Sequence, residues 1–163
     1  MAFKNYFGVE DSYPVLKWET PSELIHRIPF GQDEVSRREV SILVHLMTNP
    51  PFEGPVSYLE LLFSVLVEEN GEFTHIDDGL RTKELLDAGN RQLALRVICM
   101  ETNSMVKHRN PDVLTMSTLT PGLPEKALHK YEVVSRAICA AGYRGGRGNS
   151  FKEDQIWMFE KSA

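Results

Sequence analysis

The pattern of hydrophobic and polar positions has its clearest period of two in residues 40–47. Both faces of this segment are mostly apolar, with Val40, Ile42, Val44 and Leu46 on one and Leu43, His45 and Met47 on the other. A period of two with both faces apolar is typical of an interior β-strand. Shorter apolar patterns predict three further strands, at residues 93–100, 113–116 and 155–159.

Apolar positions spaced three and four residues apart predict two main helices. The first begins at Gly54-Pro55 and ends at Asn70-Gly71, and its apolar positions are Tyr58, Leu59, Leu62, Phe63, Leu66 and Val67. The second covers residues 125–141, with Leu128, Tyr131, Val134, Ile138 and Ala141 on one face. Its β-branched stretch, residues 131–139, would also suit a strand.

Turn and cap signals divide the rest of the chain. Thr20-Pro21-Ser22-Glu23 is a capping box that predicts a short helix ended by Pro29. Residues 71–90 are expected to form a loop with a helical turn at residues 82–86, and residues 102–124 a long surface loop. The first 23 residues carry aromatic side chains without a regular period, which predicts an extended arm that docks on a core.

These elements favour an α+β fold in which a small antiparallel sheet packs against two main helices. A chain of 163 residues has the length of one domain. We therefore predict an irregular, aromatic-rich arm over residues 1–23 and a single α+β domain over residues 24–163.

Charge is distributed unevenly along the chain, whose net charge is −5. Residues 1–80 carry 5 Lys/Arg and 14 Asp/Glu, a net charge of −9, whereas residues 81–163 carry 13 and 9, a net charge of +4. Halves of opposite charge favour head-to-tail association, so we expect a homo-oligomer. The sequence shows no secretory signal, no spanning apolar run and only two cysteines, which favours an intracellular, cytoplasmic location.

Motifs of common catalytic and metal sites are absent from the sequence, which has no G-x-S-x-G, H-E-x-x-H or Walker sequence. No two of its five histidines are three or four residues apart, and Cys99 and Cys139 lie in apolar runs. The segment His75-Ile76-Asp77-Asp78 is interpreted as an acidic, solvated loop. We therefore predict a non-enzymatic protein without a metal or another cofactor.

The most unusual segment is the glycine- and arginine-rich run at residues 143–149, predicted to be part of a loop that ends at Ser150. Glycines let backbone N–H groups converge on an anion, and the guanidinium groups of Arg144 and Arg147 would bind phosphate or membrane headgroups. Three alternatives stay open. The run resembles the acyl-coenzyme A loop of N-acetyltransferases, it would serve as a basic wing in a nucleic-acid-binding module, or it is a hairpin tip.

The arm contains a short peptide, Tyr13-Pro14-Val15-Leu16, with an aromatic and an aliphatic side chain on either side of a proline. It resembles the YPxL late-domain peptide through which structural proteins of enveloped viruses recruit host membrane-scission machinery. The alternative is ordinary aromatic packing of the arm on a core. The predicted partner-binding residues of the arm are Tyr6, Phe7, Tyr13, Pro14, Leu16 and Trp18.

A family resemblance covers about residues 5–70. The segment Tyr6-Phe7-Gly8-Val9-Glu10-Asp11, the strand at residues 40–47, the Pro51-Phe52 turn and the helix led by Ser57 resemble the matrix proteins of vesicular-stomatitis-type rhabdoviruses. Pro50-Pro51-Phe52-Glu53 lacks the tyrosine of the PPxY peptide that this family often carries. The resemblance implies a non-enzymatic assembly protein beneath the viral envelope, which links copies of itself, the viral nucleoprotein and the inner face of the membrane in assembly and budding. It also implies that Tyr13 and Leu16 recruit the host machinery.

Overall fold

The computed structural model describes residues 3–8, 12–48, 55–118, 120–148 and 154–163. These residues form nine β-strands, three α-helices and one 3-10 turn. The strands are β1 (Phe3–Asn5), β2 (Leu16–Thr20), β3 (Glu23–Asp33), β4 (Glu39–Thr48), β5 (Tyr58–Glu69), β6 (Glu72–Ile76), β7 (Val113–Ser117), β8 (Tyr143–Arg147) and β9 (Ile156–Lys161). The helices are α1 (Gly79–Leu85), α2 (Ala88–Arg109) and α3 (His129–Ala140), and the 3-10 turn Glu125–Leu128 leads into α3.

All nine of these strands belong to one mixed sheet, whose centre is the antiparallel trio β3, β4 and β5. Strands β1 and β2 both pair with β3, each along a different part of it. The other edge of β5 is also shared, because β6 pairs antiparallel with Val65–Glu69 and β7 pairs parallel with Tyr58–Glu60. Strand β9 lies beside β7, and β8 forms the outer edge.

The α+β class holds, but the prediction of a small antiparallel sheet against two main helices was wrong. The largest error concerns residues 58–69, which form strand β5 rather than a helix. A strand in the middle of a sheet is buried on both faces, so its apolar residues form a nearly continuous run that also fits helical spacing. Asn70-Gly71 is a hairpin turn and not a helix end. Both residues have positive φ, 54° and 81°, as a two-residue turn of type I′ requires.

Helix α2 replaces the strand expected at residues 93–100 and much of the loop expected after it. Asp87 begins the helix, because its side chain accepts a hydrogen bond from the backbone N–H of Asn90 at 2.9 Å. Buried positions then recur at helical spacing on the side that faces the sheet: Ala94, Val97, Ile98, Glu101, Thr102, Met105 and Val106. Asn110, in the left-handed conformation with φ of 50°, ends it.

The first 33 residues also differ from expectation. No helix follows the capping-box sequence, whose Pro21-Ser22 is the turn between β2 and β3. Pro29 lies inside β3 at an irregularity in its pairing with β4, a position that proline tolerates in a strand. The arm itself contains β1 and β2, so it is partly regular.

Several predictions are confirmed. The alternating segment is strand β4, and strands occupy the predicted positions as β7 and β9. Residues 125–141 are helical, as the 3-10 turn and α3. The predicted helix start at Gly54, the Pro51-Phe52 turn, residues Val9–Asp11 of the resemblance, and Asn149 and Ser150 of the loop lie outside the described residues.

The helices cover one face of the sheet, and the core lies between the two layers. Two aromatic rings of this core are stacked. The ring centroid of Tyr131 of α3 lies 4.9 Å from that of the fully buried Trp157 of β9, and the ring planes are 15° apart. Phe30 of β3 is also fully buried, under Phe3 and Phe7 of the arm. Within the described part of the chain, no helix combines the length and the apolar character needed to span a membrane.

Candidate functional site

The face of the sheet opposite the helices carries no covering layer in the described structure, and we call it the sheet surface. Its residues follow from strand register. On β4 the buried residues Val40, Ile42, Val44 and Leu46 face the helices, so the residues between them face away. Trp18, Ile25, His45 and Leu62 lie directly opposite one another across β2, β3, β4 and β5. This row crosses the sheet surface from its edge to its centre.

Exposed apolar side chains are concentrated on the sheet surface. Nine large apolar side chains are well exposed in the described residues, and strand register or hydrogen bonding places five of them on it. These five are Tyr6, Leu16, Trp18, Phe73 and Met158. Trp18 is 51% exposed, although a tryptophan contributes more to a protein core than almost any other side chain. Contiguous apolar patches of this kind mark interaction sites on soluble proteins.

Arg27 lies at the centre of the sheet surface and contacts three residues of neighbouring strands. Its Nε donates to the Ser41 hydroxyl at 3.1 Å, and its guanidinium lies 3.6 Å from the Glu68 carboxylate. The same group lies over the Phe73 ring, 5.3 Å from its centroid, in a cation–π contact. These contacts fix a flat cluster from β3 to β6, which presents Phe73 to solvent.

A shallow hollow of about 200 Å³ lies beside this cluster, between His45 of β4 and His75 of β6. His45 Nε2 lies 2.9 Å from a carboxylate oxygen of Glu23, and His75 Nδ1 lies 3.3 Å from the Ser64 hydroxyl. Asp77 also lines the hollow. Among the described residues, no three His, Cys, Asp or Glu side chains are grouped closely enough to hold a metal ion.

The sheet surface is acidic. Four glutamates of β3, β4 and β5 lie on it by strand register: Glu23, Glu39, Glu60 and Glu68. Glu39 and Glu68 are directly opposite each other on β4 and β5. The Tyr6 hydroxyl donates a hydrogen bond to Glu39, and partial burial together with that carboxylate raises the pKa of Tyr6 to about 12. A partner for this face therefore has to supply positive charge and apolar contacts.

The helical layer has the opposite charge. The three helices and the 3-10 turn carry nine Lys/Arg and four Asp/Glu, whereas the nine strands carry six and nine. Arg96, Met100 and Lys107 are exposed along α2, and Arg136 is exposed on α3. We call these four residues the helix surface. The uneven charge along the sequence therefore becomes a difference between the two layers of the fold.

The inner side of the arm is bound to the protein's own core. Phe7 packs against Tyr13 and Phe30, with ring centroids 5.1 and 5.3 Å apart. The Tyr13 hydroxyl donates to Glu101 of α2 at 2.7 Å, and the other oxygen of that carboxylate lies 2.6 Å from His26 Nδ1. Burial and the Glu101 carboxylate raise the pKa of Tyr13. Phe7 and Tyr13 therefore belong to the interior of the arm, although the sequence predicts partner contacts for them.

Pro14, Leu16 and Trp18 of the predicted arm site are exposed, and Tyr6 is exposed on the sheet surface. The YPxL-like peptide is thus split, since its tyrosine points into the fold and its leucine points out. Leu16 and Trp18 lie on the edge strand β2, next to Ile25 and Arg27 of β3. The structure joins these outward residues of the arm to the sheet surface.

The glycine- and arginine-rich segment is strand β8 and not a loop over its described length. Arg147 pairs with Glu125 at 3.0 Å and with Glu132 at 4.0 Å, so its guanidinium already has two carboxylate partners. Arg144 is exposed, 3.9 Å from Glu160. A Cβ atom at Gly145 would collide with the Met158 carbonyl of β9, so close strand pairing explains that glycine.

Sequence reasoning missed two residues of the sheet surface, Phe73 and Met158. Phe73 follows the Asn70-Gly71 pair, which is the strongest short hairpin signal in a sequence and predicts a strand after it. Met158 falls in the predicted final strand, but its face depends on pairing with β7.

Comparison of the chain with models of protein families, with curated proteins and with solved structures finds no match in any of the three.

Proposed function

We propose that the protein is a non-enzymatic structural protein that associates with copies of itself through the sheet surface. The observation that carries the proposal is the position of Trp18, which is half exposed in a row with Ile25, His45 and Leu62. A half-exposed tryptophan next to partly exposed Ile25 on an open sheet favours association because burying their apolar surface releases ordered water.

The arm supports this function by supplying part of the surface. Its inward aromatic residues fix it to the core, and its outward residues Leu16 and Trp18 extend the sheet surface at the β2 edge. Rigid aromatic side chains contribute large contact area at small entropic cost, which is why tryptophan and tyrosine are frequent hot spots of interfaces. An arm fixed in this way presents its contact residues already in place.

The resemblance of residues 5–70, whose helix led by Ser57 is replaced by strand β5 in the structure, supplies the finer part of the proposal. In this finer proposal, the protein is a viral matrix protein, located in the cytoplasm and then in the virion beneath the envelope. There it links the nucleoprotein to the membrane in assembly and budding. In this role Leu16 remains available to a host partner, whereas Tyr13 must leave Glu101 before the whole peptide can be bound. Arg144 is the exposed cation of the β8 edge for a membrane headgroup or another anion.

Light scattering after size-exclusion chromatography tests self-association, over a concentration series at low salt. The substitutions Leu16→Ser and Trp18→Ser together should shift association to at least tenfold higher concentration, because they remove exposed apolar area without touching the core. Val35→Ser is the matched control, since Val35 is 82% exposed but lies in the β3–β4 turn. A wild-type protein that stays monomeric at every concentration would refute the proposal.

A further inference from the structure

We infer that the sheet surface of one copy docks on the helix surface of a second copy, with Glu23 and Glu60 opposite Lys107 and Arg136. The inference rests on the proposed self-association and names the two surfaces that meet. Its basis is that the two layers of one molecule differ in charge. Each layer also exposes apolar side chains among its charged residues.

The helix surface combines positive charge with an exposed apolar residue. Arg96, Met100 and Lys107 follow one another along one side of α2 at intervals of four and seven residues. Met100 is 45% exposed between the two cations. Within the described residues, Arg96, Lys107 and Arg136 form no ion pair, so their charges are available to a partner.

Helix packing sets the spacing of two of these cations. Asn103 Nδ2 of α2 donates to the Ala137 carbonyl of α3 at 3.0 Å. Lys107 lies one turn, about 6 Å, after Asn103, and Arg136 directly precedes Ala137, so the two cations lie on neighbouring helices near this contact. Packed helix axes are about 8–10 Å apart.

Strand register sets the spacing of the acidic pair. Glu23 of β3 and Glu60 of β5 are both paired with Met47 of β4, so they lie in one row with a single strand between them. Two strand spacings amount to about 10 Å. The pair of carboxylates is therefore opposite in charge to the pair of cations, and Met47 lies between the carboxylates as an apolar contact.

Charge also disfavours the symmetric alternative. Two sheet surfaces facing each other would bring Glu23, Glu39 and Glu60 of both copies to one interface, and like charges at an interface oppose association. Docking of unlike surfaces is heterologous, so each copy keeps one surface free for the next copy. The arrangement therefore builds rings or open arrays of several copies and not two-fold symmetric dimers.

Charge reversal on each surface tests the inference. The first variant carries Glu23→Lys and Glu60→Lys, and the second carries Lys107→Glu and Arg136→Glu. Each variant by itself would place like charges at the interface, so each should associate only at concentrations about tenfold or more above those of the wild type at low salt. An equimolar mixture should regain association, because the reversed sheet surface then meets the reversed helix surface.

The control variant is Glu34→Lys with Glu69→Lys, which makes the same change of charge at two exposed positions off the sheet surface. It should associate like the wild type. A wild type that never associates would refute the proposed function itself. If the wild type associates but either variant associates equally well, or if the mixture fails to regain association, the inference is overturned and the proposed function stands. It is also overturned if the second variant associates normally and loses binding to phosphatidylserine vesicles, which would make the helix surface a membrane contact.

Discussion

His26 Nδ1 of β3 lies 2.6 Å from the Oε2 atom of Glu101 on α2, and both side chains are buried where the sheet meets the longest helix. The second oxygen of Glu101 accepts the hydroxyl of Tyr13 from the arm. One carboxylate thus joins arm, sheet and helix. A buried carboxylate is costly unless it is fully hydrogen-bonded, so each of the two partners stabilises the fold through Glu101.

Tyr13→Phe should lower the free energy of unfolding by about 1–2 kcal/mol, because Glu101 loses one of its two donors while partly buried. Urea denaturation followed by fluorescence measures the change. Tyr6→Phe is the matched control, since the Tyr6 hydroxyl also binds a carboxylate, Glu39, but at an exposed position. It should cost less than about 0.5 kcal/mol. Equal costs for the two variants would contradict the role assigned to Glu101.

Stability should fall in acid through Glu101. Burial tends to raise the pKa of its carboxyl, but hydrogen bonds from His26 and Tyr13 outweigh it and hold the pKa below the usual 4.5. A lowered pKa in the folded state adds stability that is fully present above the unfolded-state pKa and is lost as the pH falls through the folded-state pKa. Urea titrations from pH 7 to pH 3 should therefore show Glu101→Gln converging on the wild type below about pH 4.5. A stability difference that does not change with pH would count against this account.

Gly145→Ala should destabilise the β8–β9 pair. The added methyl group meets backbone atoms of Met158 and Phe159, which cannot move without breaking the pairing, and the φ of Gly145 is 143°. We expect a loss of about 2–3 kcal/mol in unfolding free energy. Gly146→Ala is the control in the adjacent position, where a Cβ has no atom within 4 Å, and it should change stability by less than about 0.5 kcal/mol. Thermal unfolding of both variants distinguishes close strand pairing from a general need for glycine in this segment.

The hairpin between β5 and β6 should depend on Gly71. Its φ of 81° is in the left-handed region, so Gly71→Ala should cost about 1 kcal/mol although the space around it is open. Gly79→Ala, in equally open space at the first residue of α1, should instead add about 0.5 kcal/mol by restricting the unfolded chain. Chemical denaturation compares the two variants. The prediction fails if they shift stability in the same direction.

Sequence patterns determined the elements whose periodicity is unambiguous. Strand β4 has a period of two, with Ser41 and His45 as polar positions on its outer face, and α3 has a single apolar stripe, so both were predicted. Strand β5 has apolar residues on both faces, and nothing local distinguishes such a run from a buried helix. Residues 93–100 alternate by chance within α2, and their helical state is fixed by the cap at Asp87 and by packing on the sheet. Tertiary pairing decided the conformation of both segments.

The candidate site was predictable only where it depends on single residues. The exposed apolar residues Leu16 and Trp18 could be selected from the arm, and the charge difference between the halves was visible in the sequence. The sheet surface as a whole was not predictable, because it depends on the register of β5 with β4 and β6. A helix at residues 58–69 would lack the central strand of that surface. Without that strand, Phe73 cannot be assigned to either face of the sheet.

The edge of β5 that β6 and β7 share also affects which strands of the sheet separate first. Within the described residues, strands β7, β9 and β8 pair with the rest of the sheet only along Tyr58–Glu60, and that parallel ladder joins segments separated by the whole of α1 and α2. Because its strands are distant in sequence and the ladder is short, we expect it to form late in folding and to separate early. Native-state hydrogen exchange should show the amides of β7 opening before those of β4. We therefore expect β7, β8 and β9 to separate together while the remaining six strands, β1 to β6, stay folded.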